Sequence, residues 1–137
     1  MNAYARWLFG IAAAANLMVA AAMSVGQGWF VALLALDPIS GTNVVLVDLA
    51  AVLIAGFGYG YARVALDPAR FRSLIAIGAL GKLAAVVTVL VGALTMLHLW
   101  RLFGLIGGDL VFAALFINYL RRTRPQATRR RERRVFR

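Results

Sequence analysis

Four long apolar stretches alternate with short polar or basic segments along this chain. They run from Trp7 to Ser24, from Val44 to Ala62 ("VVLVDLAAVLIAGFGYGYA"), from Leu74 to Leu97 and from Leu102 to Leu120 ("LFGLIGGDLVFAALFINYL"). A helix rises 1.5 Å per residue, so about 20 apolar residues cross the hydrocarbon layer of a bilayer. No period-two alternation is present, and helices or closed barrels alone satisfy their backbone groups in lipid. The pattern therefore predicts an all-α protein: one four-helix transmembrane domain over residues 1–120, followed by a tail, 121–137, that contains Pro125 and little that could pack a core, and is expected to be disordered.

The segment joining the first two spans is itself greasy. "WFVALLAL", Trp29 to Leu36, is too short to span and is bounded by "GQG" and "DPISG". It is expected to form a short interfacial or re-entrant segment with Trp29 at headgroup depth, the alternative being a greasy loop over the first span. The turn between spans two and three, "ALDPAR", places Asp67 before Pro68, a frequent way to begin a helix, and predicts Asp67 as an N-cap. The first span also admits a second reading as a cleaved signal peptide, because "VAAAMS" offers small residues. Its length and the interruption at Asn16 oppose that.

Composition agrees with membrane residence. Hydrophobic residues make up 63% of the 137, well above the roughly 45–50% of soluble domains. The absence of cysteine removes disulfides, iron–sulfur clusters and thiolate metal sites, and a single histidine, His98, leaves no basis for expecting a metal or any other cofactor. The formal charge of +10 is unevenly placed, nine of fifteen basic residues lying within 121–137. Arg6, then Arg63, Arg70 and Arg72, then the tail, fall on one side of the predicted membrane, and only Arg101 on the other. The positive-inside rule then predicts a cytoplasmic (inner) membrane protein with both termini cytoplasmic. Arg121, Arg122, Arg124, Arg129, Arg130 and Arg131 are candidate contacts to anionic lipid headgroups, which makes the bilayer the expected partner and nucleic acid an unneeded one. His98, Trp100 and Arg101 read as anchors at the opposite boundary.

Ionisable groups within spans are expensive and normally face a partner. Asp48, Lys82 and Asp109 occur here, and Lys82 is the sole lysine beside fourteen arginines. Counting rise from the inner edge places Lys82 at about 12 Å, Asp109 at about 16 Å and Asn16 at about 13–14 Å. Asp48 and Thr88 fall higher, at about 21 Å. The expectation is a central layer of Asn16, Lys82 and Asp109 and an outer layer of Asp48 and Thr88. Two roles for a Lys82–Asp109 pair stay open: a lock on helix register, or a site for an ion, a proton or a polar headgroup. Asp109, Phe112 and Phe116 share a helix face, as packing or as an aromatic wall around the carboxylate. Glycines in "GFGYGYA", Gly78, Gly81 and "GLIGG" are expected to allow close helix contacts. None follows a strand, as a nucleotide-binding glycine loop would.

Asp67-Pro68, Gly81-Lys82 and "GDLVFAALF" at Gly108 to Phe116 resemble small four-helix bacterial membrane proteins, many of them uncharacterised. The hydropathy layout is similar to the DoxX-like group. The resemblance covers the second half of the chain and implies a bacterial inner-membrane protein, with no activity or site residue carried over. No serine–histidine–acid set, metal cluster or carboxylate pair at one depth suggests an enzyme. The expected function is a non-enzymatic accessory or small-ligand or lipid-binding role, as a homo-oligomer or within a larger membrane complex. The alternative is a dimeric proton- or ion-coupled transporter using Asp109, Lys82 and Asp48.

Overall fold

A computed structural model of the chain describes residues 3–95 and 101–123 as a bundle of five helices. They are α1 (Ala3–Ser24), α2 (Gln27–Leu34), α3 (Thr42–Leu66), α4 (Arg72–Thr95) and α5 (Leu102–Arg122). All but α2 are long and apolar enough to cross a membrane. The described helices run past several of the predicted span ends, α1 beginning at Ala3 and α3 continuing to Leu66. Hydropathy marks the hydrocarbon boundary, whereas good helix formers such as Arg63, Arg121 and Arg122 continue the helix through it.

The predicted segment at Trp29 to Leu36 is α2, shifted two residues toward the N-terminus. It buries Phe30 and Leu34, one turn apart, and leaves Trp29 and Leu33 exposed. It closes where Ala35 takes the left-handed conformation (φ 50°) and Leu36 N–H donates to Val31 C=O at 3.0 Å, a Schellman ending. Gly41, at φ 58° and ψ −137°, then turns the chain into α3, a conformation open in practice only to glycine.

Asp67 requires a correction. It ends α3, and its carboxylate accepts from Arg70 N–H at 3.2 Å, closing the turn at 67–70, while α4 begins only at Arg72. Arg72 meanwhile has a structural task beyond its charge. Its guanidinium donates to Thr123 C=O (2.7 Å), Thr123 Oγ1 (2.6 Å) and Leu120 C=O (3.1 Å), satisfying carbonyls that α5 leaves open at its C-terminus.

Packing is uneven. α1 lies closely along α3 and α4 along α5, with far less contact between α3 and α4. Large side chains join the pairs near the end that carries Ala3 and Arg122. Phe9, Tyr61, Val64, Ile75 and Phe116 are fully buried there. The Phe116 ring centroid lies 4.9 Å from that of Phe9 and 5.1 Å from that of Tyr61. Glycines in the middle of the chain serve close contact as expected: Gly58 meets Leu17 and Ala13, and Gly60 meets Leu74. "GLIGG" does not, because Gly104, Gly107 and Gly108 have open space where a side chain would stand. The outer surface carries Leu46, Leu49, Val52, Leu80, Val87 and Val91, all more than half exposed. Helices that are apolar all round, with large residues facing outward, are what a lipid environment selects.

Candidate functional site

Lys82 is the buried charged residue of the described core, 7% exposed. Its ammonium forms an ion pair and hydrogen bond with Asp109 Oδ1 and donates to Asn16 Oδ1 at 3.3 Å. Asn16 Nδ2 in turn donates to Ile54 C=O at 3.5 Å, which orients the amide oxygen toward the lysine. The ammonium also lies 5.8 Å from the Tyr61 ring centroid and 5.4 Å from that of Phe112, close enough for cation–π attraction. Three spans thus contribute a polar group each, and a fourth contributes an aromatic face.

Local sequence explains how Tyr61 reaches the cluster. A Cβ on Gly78 would stand 2.5 Å from Tyr61 Oη and 2.7 Å from Cε1, so only glycine lets the phenol lie against α4 one turn before Lys82. Asp109 is held less deeply, its side chain 28% exposed against 8% for Lys82. Its Oδ2 makes no hydrogen bond among the described residues.

This cluster forms the polar part of an otherwise apolar cavity of about 370 Å³, a volume within the range of small-molecule sites. All five helices line it: Asn16 and Met23 from α1, Phe30 from α2, Leu53, Phe57 and Tyr61 from α3, Lys82, Ala85 and Val89 from α4, and Ile106 and Asp109 from α5. The short helix is therefore part of the site, covering it with Phe30. Leu53 on α3 and Gly81 and Ala85 on α4 line the cavity and are also exposed at the surface.

The structure brings together Asn16, Lys82 and Asp109, the central layer expected from depth. The outer layer is corrected: Asp48 and Thr88 are both exposed and share no hydrogen bond, and the Thr88 hydroxyl donates to Ala84 C=O of its own helix at 2.9 Å. Phe112 and Phe116 stay in ring contact, 6.1 Å between centroids, with Phe112 facing the ammonium and Phe116 reaching the rings of Phe9 and Tyr61. Arg121 and Arg122 are exposed, with Arg122 Nε donating to Asn118 Oδ1 at 3.1 Å. Arg101 reaches Leu33 C=O at 3.5 Å and so ties α5 to the end of α2. Arg124, Arg129, Arg130 and Arg131, like His98 and Trp100, lie outside the described residues. Tyr61, Phe57 and Phe30 were missed from sequence. The available signal was the "GFGYGYA" alternation, but which glycine gap faces which ring depends on the rotation of α3 and α4.

The fold and the cluster together define a small multi-pass membrane protein with a charged pair in the lining of an otherwise apolar cavity. No family model, curated protein or solved structure matches this chain, so the meaning of the cavity rests on its own geometry.

Proposed function

We propose that this protein binds a small amphipathic molecule inside its bundle without transforming it. The polar end would rest on Asn16, Lys82 and Asp109 and the apolar part would lie along the cavity walls. The observation that carries this reading is that the ion pair is not packed on all sides: Asp109 remains partly exposed, in a cavity whose lining residues Leu53, Gly81 and Ala85 are also exposed. A pair serving helix register alone gains nothing from such a space, since a void forfeits dispersion contacts.

Filling the cavity away from the charges tests this. The apolar fluorophore 1-aminoanthracene is expected to show saturable fluorescence enhancement with the detergent-purified protein. Ala85→Phe should weaken its binding about tenfold or more, equivalent to at least 1.4 kcal/mol. Equal binding by both proteins would refute occupancy of this cavity.

The same proposal places the protein in an inner membrane with both termini cytoplasmic. Arg6, Arg63, Arg70, Arg72, Arg121 and Arg122 stand at the ends of helices that meet on one side of the bundle, opposite Arg101, and such clusters are retained on the cytoplasmic side. The basic tail is then available to anionic lipid. Reporter fusions at Pro38 and after Arg137 should report outside and inside respectively, and an outside signal from the second would reverse the orientation.

A further inference from the structure

Resting on that reading of the cavity, we infer that the polar end of the ligand is an uncharged hydroxyl group, so that the site takes single-chain alcohols in preference to alkyl anions or alkyl cations. Three observations converge on this chemistry.

The first is charge. Lys82 and Asp109 neutralise each other within the bundle. A headgroup bearing either sign would therefore bring a charge with no counter-ion into a low-dielectric site, where unpaired charge is strongly disfavoured.

The second is hydrogen-bonding capacity. An ammonium has three hydrogens, and two of those on Lys82 are directed to Asp109 and Asn16. With Asp109 as its counter-ion and the Tyr61 and Phe112 faces flanking the same group, Lys82 does not need a second anion. Asp109 Oδ2 is an acceptor with no described partner, on a side chain that is partly exposed and lines the cavity. A hydroxyl both donates and accepts. It can donate to Asp109 Oδ2 while accepting from Lys82, whereas a sulfate offers acceptors alone against a carboxylate and a quaternary ammonium offers no donor at all.

The third is the wall. From Lys82 to Val89 the cavity follows α4 for seven residues, about 10 Å. Ala85, Leu53, Met23 and Phe30 add apolar surface along it. That is a lengthwise apolar lining suited to an alkyl chain, and the exposed flank at Leu53 and Ala85 is where such a chain would reach the bilayer.

Binding of decan-1-ol, decyl sulfate and decyltrimethylammonium to the purified full-length protein, counted by native mass spectrometry at matched concentrations, separates the headgroups at constant chain length. The alcohol should bind about tenfold or more tightly than either ion. Asp109→Asn leaves the Lys82 charge uncompensated and should shift the preference toward decyl sulfate; if that variant does not fold, the wild-type ranking decides. Ala85→Phe should weaken all three ligands together. Wild-type protein that binds either ion as well as the alcohol overturns the hydroxyl assignment and leaves the cavity reading intact. If none of the three binds, or if Ala85→Phe changes nothing, the cavity reading falls and the assignment with it.

Discussion

Lys82→Met or Asp109→Leu alone is expected to destabilise the bundle by about 3–5 kcal/mol, while the double variant should lie much closer to wild type. Each single change strands a charge inside the bundle. After Asp109→Leu the ammonium keeps Asn16 and two ring faces, none of which carries a compensating charge. After Lys82→Met the carboxylate keeps no described partner. Removing both leaves an apolar pair and one amide oxygen without its donor, a loss of about 1–3 kcal/mol at most. Thermal unfolding in detergent measures all three variants. A loss in the double variant equal to the sum of the two single losses would show that the two residues act independently and that the pair does not join α4 to α5.

Phe116→Ala should have a comparable effect, about 3–5 kcal/mol, as the deletion of a fully buried aromatic side chain. Phe116 lies on α5 with its ring against Phe9 of α1 and Tyr61 of α3, so it joins the two tight helix pairs where their backbones stand apart. In lipid the apolar transfer gain is small, and the loss would come mainly from forfeited packing between helices. Val111→Ala on the same helix is the control, because Val111 is 58% exposed and faces outward. Unfolding temperatures that fall equally for both variants would show that the aromatic cluster does not hold the pairs together. Because Tyr61 also flanks Lys82, Phe116→Ala should in addition weaken ligand binding, whereas Val111→Ala should leave it unchanged.

These two predictions differ in how far the sequence alone could reach them. The Lys82–Asp109 contact was legible, and so was Asn16 beside it, because each lies on a span whose direction and rise set its depth. The aromatic junction was not. Phe9, Tyr61 and Phe116 look like ordinary apolar residues of their spans, and nothing in their spacing says that three separate helices turn them toward one another. Asp48 and Thr88 show the same limit from the other side, since the rise expected them at one depth and yet both stand exposed with no hydrogen bond between them.

By itself, the sequence determined that the chain is a four-span membrane protein and that Asn16, Lys82 and Asp109 could meet, because lipid forces long apolar helices and a helix advances by a constant rise. Only the tertiary structure decided which face of each helix looks inward. In spans that are apolar on every side the hydrophobic pattern sets no rotation, and the choice falls to close packing: Gly78 admitting Tyr61, the glycines of "GLIGG" turning outward while Ile106 faces in, and α2 bringing Phe30 to the cavity.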